Sequence, residues 1–339
     1  MHHLKYAVTG ATGFIGGRLV RQLLAAGHTV HALVRDPQRA RELEQRGVRL
    51  FKGDVTDAAS LGAPLQGVDG VFHLAAWYEI GTKNRARAED INIRGTRNVL
   101  STMRDLGIPK GVYTSSVAVF SDTRGQLMDE TYRRGGPWLT LYDRTKWRAH
   151  YEVVEPMIRD GLPLVITQPG LVYGPGDQSI VHRTLLQYLR GKLHVAPQAT
   201  AYCFGYVDDV AAGHVLAMQK GRIGESYIFA GPLHTFIELF ALCERLTGVR
   251  QPRFNPSPAV MKCLAQAMRF AGIFAPLPEN YRYESLRVMA GVTYGGNDAK
   301  ARRELGWTCR DIEAGMRLTL AECLRELGMP LPPQLRTPA

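Results

Sequence analysis

Two side chains near the middle of the chain have the types and the spacing of an acid–base pair. Tyr142 and Lys146 lie four residues apart in the stretch Tyr-Asp-Arg-Thr-Lys, a separation that places both on one face of a helix. A free phenol has a pKa of about 10 and exchanges protons poorly at neutral pH. A neighbouring ammonium lowers that pKa. The pair therefore predicts proton transfer to or from a substrate oxygen; an exposed helix pair is the alternative.

A serine hydroxyl is expected beside this pair. The stretch Thr114-Ser115-Ser116 ends an apolar run that predicts the fifth strand of a sheet. Ligands of open α/β sheets bind at the carboxyl ends of the strands, where a hydroxyl can polarise a substrate carbonyl. We choose Ser116 over Ser115 because side chains alternate along a strand and Ser116 lies further out. The predicted catalytic residues are Ser116, Tyr142 and Lys146.

A glycine-rich turn near the start of the chain predicts what lies beside these residues. An apolar run at residues 6–8 leads into Thr-Gly-Ala-Thr-Gly-Phe-Ile-Gly at residues 9–16, followed by leucines at helical spacing. Strand, glycine turn and helix are the context of a dinucleotide fingerprint. Gly10 permits the turn, Gly13 lets the backbone approach a pyrophosphate, and Gly16 lets helix and strand pack closely. The helix N-terminus attracts the anion; a plain turn is the alternative.

The second predicted strand indicates which dinucleotide is bound. In an NAD site, an acidic residue at the end of this strand accepts hydrogen bonds from the ribose, but here Val34 is followed by Arg35. A guanidinium pairs bidentately with a 2′-phosphate, and Arg39 lies within reach as a second cation. NADP (NADPH) is therefore the predicted cofactor. NAD is the alternative cofactor; in that case Arg35 is a solvated turn residue and the Asp36 carboxylate accepts hydrogen bonds from the ribose.

Two further strand ends complete this part of the predicted cofactor site. Asp54, just past the third strand, is placed to accept a hydrogen bond from the adenine amino group, and Val55 lies beside it. Leu74, Ala75 and Ala76 end the fourth strand. Two of these side chains are small, as a backbone that lies against the cofactor requires.

Apolar runs alternate with helical patterns through the first half of the chain. This order predicts a Rossmann-type α/β fold, a doubly wound parallel sheet with helices on both faces. We expect residues 1–170 to form an NAD(P)-binding domain, with residues 200–230 able to add strands to its sheet. Residues 171–330 are expected to form mainly a smaller, C-terminal α+β substrate-binding lobe.

The sequence predicts two further helices. Residues 142–160 predict a long helix that ends or kinks at Pro156, because proline lacks an amide N–H. Residues 258–274 are apolar around much of their circumference, which favours a buried helix. The alternatives for residues 258–274 are a lid over a substrate pocket and a patch on a membrane surface.

Composition and charge narrow the class of protein. Among the 339 residues, 45% are hydrophobic and 22% are charged, which is typical of soluble globular proteins, and no apolar run approaches the about 18 residues of a transmembrane segment. Five widely spaced cysteines without a C-x-x-C argue against disulfides and zinc and favour a cytoplasmic protein. No metal is expected, because the cysteines and histidines lack metal-ligand spacing. The net charge of +11 is spread along the chain, so no nucleic-acid partner is expected.

These motifs together resemble those of the extended short-chain dehydrogenase/reductase superfamily, also called the NAD-dependent epimerase/dehydratase superfamily. The motifs arrive in the family's order at residues 9–16, 73–76, 91–100, 114–116, 142–146, 168–175, 206–210 and 297–307. The resemblance implies a Rossmann domain, a C-terminal substrate lobe and the catalytic set named above. It further implies a supporting role for Asn92 and a homodimer formed by the helices that carry Asn92 and Tyr142.

The resemblance also places a nicotinamide loop at Pro169 and Gly170. The complete predicted cofactor-binding set is Gly10, Thr12, Gly13, Phe14, Ile15, Gly16, Arg35, Arg39, Asp54, Val55, Leu74, Ala75, Ala76, Thr114, Tyr142, Lys146, Pro169, Gly170 and Val172.

Within the superfamily the chain leans toward the dihydroflavonol-reductase-like branch, on Val-Arg-Asp-Pro at residues 34–37 and Tyr-Thr-Ser-Ser at residues 113–116. This branch also holds bacterial members labelled sugar epimerases. Nucleotide-sugar enzymes of the superfamily usually place an arginine just before the equivalent of Phe204, where this chain has Ala-Tyr-Cys. The departure disfavours a nucleotide-sugar substrate.

Aromatic residues are expected to line the substrate pocket. By resemblance, the segments that approach the substrate contain Trp77, Tyr78, Tyr173, Tyr202 and Phe204. Aromatic walls suit an apolar, aromatic or ring-containing carbonyl compound. A place in the core is the alternative for half or more of these residues.

We therefore predict an NADPH-dependent reductase, reversible as an alcohol dehydrogenase, of an apolar aldehyde or ketone. Hydride would come from the nicotinamide, and Tyr142 would donate the proton. The first alternative is a sugar or nucleotide-sugar epimerase or dehydratase that uses bound NAD(P). The second is a non-catalytic NADP-binding sensor or scaffold, against which the intact catalytic set argues.

Overall fold

Buried strands organise the chain into two sheets. The computed structural model describes residues 3–82, 84–275, 277 and 281–336. Its strands are β1 (Lys5–Thr9), β2 (Thr29–Val34), β3 (Arg49–Lys52), β4 (Gly70–His73), β5 (Gly111–Thr114), β6 (Leu164–Pro169), β7 (Leu171–Tyr173), β8 (Ala201–Tyr206), β9 (Ser226–Phe229), β10 (Leu233–Thr235) and β11 (Thr293–Tyr294). Within the described residues, seven parallel strands form the larger sheet in the order β3-β2-β1-β4-β5-β6-β9.

Helices cover both faces of this sheet. The helices are α1 (Phe14–Ala25), α2 (Arg41–Gln45), α3 (Gly62–Leu65), α4 (Arg85–Glu89), α5 (Thr96–Asp105), α6 (Leu141–Arg148), α7 (Glu155–Arg159), α8 (Ile180–Leu189), α9 (Val207–Lys220), α10 (Phe236–Thr247), α11 (Pro258–Phe274), α12 (Tyr283–Val288), α13 (Ala299–Leu305) and α14 (Ile312–Glu326). The apolar sides of α1 and α9 fill the core on one face, and α5 fills the core on the other. Every residue of β4, β5 and β6 is buried, as strands covered on both faces require.

The second sheet lies in the C-terminal half and is built around β8. This strand pairs antiparallel with β10 and parallel with β7 and β11. Its core contains the apolar sides of α8, α10 and α14. The predicted Rossmann-type α/β fold with a smaller C-terminal α+β region is confirmed, and β9 brings residues 226–229 into the larger sheet.

The long helix after β5 does not end at Pro156. Helical backbone runs without a break from α6 through a π-helical segment, Ala149–Val154, into α7, which contains Pro156. A π-helical turn shifts the hydrogen bonding from i→i−4 to i→i−5, so the register changes just before the residue that has no N–H. A second π-helical segment, Asp90–Gly95, joins α4 to α5.

The expectation of a buried helix at residues 258–274 is wrong. The segment is helical, as α11, but only Met261 and Ala265 are buried in it. The apolar residues on its other side are exposed to solvent. None of the described helices is long and apolar enough to cross a membrane.

Contacts in the loop between β1 and α1 explain why two of its positions require glycine. Gly10 has a φ of 75°, and a Cβ atom there would lie 2.7 Å from the Ala75 amide nitrogen. A Cβ atom on Gly16 would lie 2.1 Å from the Gly10 carbonyl oxygen. Helix α1 therefore packs against the end of β1, and β1 against the end of β4, through backbone alone.

Replacement of Gly16 by alanine should destabilise the protein. The new methyl group would overlap the Gly10 carbonyl, so we expect the free energy of unfolding to fall by about 3 kcal/mol. Gly17→Ala is the matched control, because its Cβ would lie at an ordinary 3.7 Å from the Ala11 carbonyl oxygen, and alanine favours the helix by up to about 1 kcal/mol. Urea unfolding followed by circular dichroism measures both; equal stability of the two variants would contradict the packing argument.

Candidate active site

Ser116 and Tyr142 meet at the carboxyl end of β5. Tyr142 is the second residue of α6, whose first turn is capped by Thr140: its hydroxyl accepts a hydrogen bond from the Asp143 amide. Ser116 follows β5 in an extended conformation, and its hydroxyl lies close enough to the Tyr142 phenol to lower the pKa of that phenol. The same serine oxygen accepts a 3.1 Å hydrogen bond from the Ala118 amide.

The pKa of Tyr142 is set by opposing effects. Burial raises it above the ordinary value for tyrosine, the nearby Tyr78 adds to the rise, and the hydrogen bond from Ser116 lowers it. Because burial is the largest effect, the phenol keeps its proton at neutral pH.

Lys146 is buried below this pair. Its ammonium donates a 2.6 Å hydrogen bond to the Thr114 carbonyl oxygen and lies over the Tyr113 ring, with 5.0 Å from Nζ to the ring centroid. Burial lowers the pKa of Lys146 to about 7. Among the described contacts, Lys146 bonds to Thr114 and Tyr113 rather than to the Tyr142 oxygen. That the ammonium lowers the pKa of the phenol stays a prediction.

Ser115 points to the other side of β5. Its hydroxyl is 2.8 Å from Nδ1 of the buried His150, and the alternation of side chains carries Ser116 to the opposite side. The structure therefore brings Ser116, and not Ser115, to Tyr142.

Asn92 holds the loop after β4 against α6. Its Oδ1 accepts a 2.7 Å hydrogen bond from the Trp77 amide, and its Nδ2 donates to the Trp77 carbonyl and to the Thr145 hydroxyl. These bonds use the whole amide group, so Asn92 fixes the position of the Trp77 backbone relative to α6 and acts as a positioning residue.

A buried carboxyl group beside Tyr142 was not anticipated from the sequence. Asp143 accepts hydrogen bonds from the hydroxyls of Thr140, Ser121 and Tyr294, at 2.7, 3.2 and 2.9 Å. Burial raises its pKa to about 6. Asp143 lies within the Tyr142–Lys146 motif, but 151 positions separate it from Tyr294, and no local signal marks the two as partners.

Three aromatic residues lie close to the Tyr142 ring. The Tyr78 ring meets that of Tyr142 edge-on, with 4.9 Å between the ring centroids, and Tyr78 is 52% exposed. Tyr202 and Tyr294 are stacked at 5.3 Å and belong to the same apolar cluster as Tyr142. These rings form an aromatic wall that ends in solvent at Tyr78. The partly buried Trp77 packs instead against the apolar cluster that contains Ile91 and Val99.

Two of the predicted pocket residues lie elsewhere. Tyr173 and Phe204 are 1% and 2% exposed and pack against each other in the core of the C-terminal region. Neither ring reaches the cluster around Tyr142, because β7 and β8 point these side chains toward α14 and its neighbours. The structure therefore gives Tyr173 and Phe204 a core position in place of the predicted wall.

The loop at residues 10–16 has the properties of a pyrophosphate site. In the described structure no side chain caps α1 at Gly13, and no acidic residue lies in its first turn. The first amide groups of the helix are therefore directed at the space above the loop with an unopposed positive dipole. Gly13 donates a 2.9 Å hydrogen bond to the Gly10 carbonyl, which fixes the turn. These residues fit a dinucleotide phosphate.

The two arginines predicted to bind a 2′-phosphate after β2 differ in their ion pairing. Arg39 lies 3.4 Å from the Asp36 carboxylate in an exposed ion pair. Arg35 is also exposed, and it forms no ion pair with any described residue. Asp36 further accepts a hydrogen bond from the Gln38 amide. Arg35 is thus the cation with its charge uncompensated at the position expected for a 2′-phosphate.

Other predicted cofactor residues lie along the same edge of the sheet. The amides of Leu74 and Ala75 donate to the carbonyl and the hydroxyl of Thr9, which joins the ends of β1 and β4. The Asp54 carboxylate accepts from the amide and hydroxyl of Thr56. Thr12 and Ala76 are exposed, Phe14, Ile15 and Val172 are partly buried, and Val55 and Pro169 are buried.

Thr114 and Gly170 take part in packing. The Thr114 hydroxyl is 3.0 Å from Nε2 of His214 on α9, so only its carbonyl faces Lys146. A Cβ atom on Gly170 would lie 2.5 Å from the Cys203 carbonyl oxygen, which requires glycine at the junction of the two sheets.

The fold and this arrangement define an NAD(P)-dependent oxidoreductase of the short-chain dehydrogenase/reductase type. The chain belongs to the NAD-dependent epimerase/dehydratase family, whose model matches residues 6–230. The resemblance to the extended short-chain dehydrogenases is thereby confirmed.

Known proteins similar to this chain include two enzymes and one solved structure. The chain is 32% identical over 330 residues to sterol demethylase protein B of Methylococcus capsulatus, an alignment that covers 95% of this chain and 98% of that protein. It is 31% identical over 322 residues to 3β-hydroxysteroid dehydrogenase/Δ5→4-isomerase of Mycobacterium tuberculosis, covering 88% and 85%. The crystal structure of gox2253 superposes with a TM-score of 0.82 at 30% identity, covering 96% and 99%.

The buried carboxyl of Asp143 should make stability depend on pH. Its folded-state pKa of about 6 exceeds the unfolded value of about 4, so its contribution to stability is complete below pH 4 and is lost as the pH rises through 6. The expected loss is about 3 kcal/mol. The difference in unfolding free energy between the wild type and Asp143→Asn should therefore fall between about pH 4 and 7 in urea titrations.

Asp129→Asn provides the matched contrast. Hydrogen bonds from Thr131 lower the pKa of this exposed carboxyl, so its contribution should be lost as the pH falls, in the opposite sense. A pH-independent difference for Asp143→Asn would show that its carboxyl does not titrate as described.

Proposed function

We propose that the protein is an NADPH-dependent reductase, reversible as an alcohol dehydrogenase, of an apolar, ring-containing ketone or aldehyde. The observation that carries this proposal is that Ser116 and Tyr142 lie together at the carboxyl end of β5, close enough for the Ser116 hydroxyl to lower the pKa of the phenol. It gives a substrate carbonyl two hydroxyl donors at the edge of the sheet where the loop at residues 10–16 presents the N-terminus of α1.

Ser116, Tyr142 and Lys146 each have a separate role in the proposed carbonyl reduction. Bound NADPH supplies the hydride for the carbonyl carbon. Ser116 orients the carbonyl oxygen, and Tyr142 donates the proton to it. Because burial raises the pKa of Tyr142, the phenol is in the acid form that this direction of reaction needs. Lys146 holds the Thr114 carbonyl and so fixes the end of β5 that carries Ser116.

The aromatic wall supports the substrate class. Tyr78, Tyr202 and Tyr294 form an aromatic group beside Tyr142, and aromatic surroundings of this kind suit a flat apolar compound. The two relatives described above are named for a sterol and a 3β-hydroxysteroid, both multi-ring alcohols. A sugar epimerase or dehydratase is the alternative, and release of stoichiometric NAD(H) from the denatured purified protein would favour it.

Tyr142→Phe should abolish turnover while NADPH still binds. Loss of the proton donor is expected to lower kcat by a factor of about 100 to 10,000, with the NADPH dissociation constant nearly unchanged. Tyr151→Phe, on the same long helix, is the control, since its phenol donates a 3.4 Å hydrogen bond to the Tyr132 carbonyl and interacts with Arg133 rather than with Ser116. NADPH oxidation with a panel of cyclic ketones measures turnover; wild-type activity in Tyr142→Phe would refute the proposed role.

Arg35→Ala should weaken NADPH binding and leave NADH binding unchanged. The variant removes the uncompensated guanidinium after β2, so we expect the NADPH dissociation constant to rise by about tenfold to a hundredfold. Arg39→Ala should have a smaller effect because Arg39 is paired with Asp36. Arg41→Ala, an exposed arginine on α2, is the control. An equal loss of NADPH and NADH affinity in Arg35→Ala would argue against a 2′-phosphate contact.

A further inference from the structure

The α11 helix carries an apolar face with no covering element in the described structure. Its residues are Val260, Leu264, Phe270, Ile273 and Phe274, which are between 39% and 86% exposed. The opposite side of the helix packs on the protein through Met261 and Ala265. A contiguous exposed apolar face on a folded protein is characteristic of an interaction surface.

The charges of α11 are all positive. Lys262 and Arg269 are exposed, lie two turns apart on one edge of the apolar face, and are the only ionisable residues of the helix apart from Cys263. Arg269 also lies over the Tyr283 ring of α12, with 5.4 Å to the ring centroid. An apolar face bordered by cations, without any acid, is the pattern of a helix that lies in the plane of an anionic membrane surface.

This charge pattern favours a membrane over a second copy of the chain. Two α11 helices packed face to face would bring four cations together, and neither helix supplies an acidic partner. The chain as a whole has a net charge of +11. Anionic head groups would neutralise the cations while the acyl region takes up Phe270 and Phe274.

Helix α12 connects this face to the catalytic helix. It packs against α11, and its Glu284 carboxylate accepts hydrogen bonds from the amides of Leu141, the first residue of α6, and of Gly81, at 3.3 and 3.1 Å. The apolar face of α11 is thus one helix removed from the segments that carry Tyr142 and Tyr78.

We infer that α11 binds the protein to anionic membrane surfaces, with its apolar face in the interfacial region and Lys262 and Arg269 at the head groups. This inference goes beyond the proposed reductase activity and does not depend on it. Together with that activity, it would place the aromatic wall near the lipid phase in which an apolar substrate dissolves.

Vesicle flotation of the full-length protein tests the inference. Vesicles of phosphatidylcholine with about one third phosphatidylglycerol should bind the protein at low salt, and pure phosphatidylcholine vesicles should bind it at least about tenfold more weakly. The double variant Phe270→Ser/Phe274→Ser should lose about tenfold or more in binding. Lys262→Gln/Arg269→Gln should lose a similar factor on the anionic vesicles only.

Matched controls distinguish binding through α11 from non-specific binding through other exposed apolar residues. Leu127→Ser and Ile223→Ser remove apolar side chains that are 52% and 56% exposed outside α11, and both should bind vesicles as the wild type does. Circular dichroism and NADPH binding report whether each variant is folded. Absence of wild-type binding, or wild-type binding by the double serine variant, overturns the inference. A lipid-free dimer in light scattering that the double serine variant loses would overturn it in favour of a second copy.

Discussion

The backbone of the loop at residues 10–16 touches the end of β4 with no side chain between them. Gly10 lies against Ala75 and Gly16 lies against Gly10, at distances that exclude even a methyl group. This contact fixes how closely the loop approaches the end of β4, the strand that pairs with β1. Every other feature of the site is placed relative to this junction, because β5 follows β4 in the sheet and carries Ser116.

Burial governs the chemistry of the groups next to this junction. It raises the pKa of Tyr142, lowers the pKa of Lys146 to about 7, and raises the pKa of Asp143 to about 6. Desolvation always disfavours the charged form, so each group is held nearer to its neutral state than in water. Hydrogen bonds partly offset this effect, most fully at Asp143, where three hydroxyls surround the carboxyl. The bond from Tyr294 to Asp143 also ties β11 of the second sheet to the helix that carries Tyr142.

The two halves of the site have different origins. The edge proposed to bind the dinucleotide phosphate is made of backbone and small residues from the first 76 positions, where Gly10 and Gly16 have no space for a Cβ atom. The aromatic wall comes from three distant segments, around residues 78, 202 and 294, and ends in solvent at Tyr78.

The sequence alone determined the order of the first six strands, the glycine loop and the candidate set Ser116, Tyr142 and Lys146, but it did not predict strands β7, β8, β10 and β11. These features are local: alternation, helical spacing and the need for glycine are properties of a few consecutive residues. The bounds of β2 and the helical nature of residues 258–274 followed for the same reason. The preference for NADP also rests on a local pattern, Val34 followed by Arg35, and stays a prediction.

Only the tertiary structure decided which side of each element is covered. It placed Tyr173 and Phe204 in the core, paired Asp143 with Tyr294, and left the apolar side of α11 in solvent. It also let the catalytic helix continue through Pro156, because a π-helical turn precedes that residue. None of these outcomes is encoded within a short window, since burial and pairing depend on elements that are distant in the chain and adjacent only after folding.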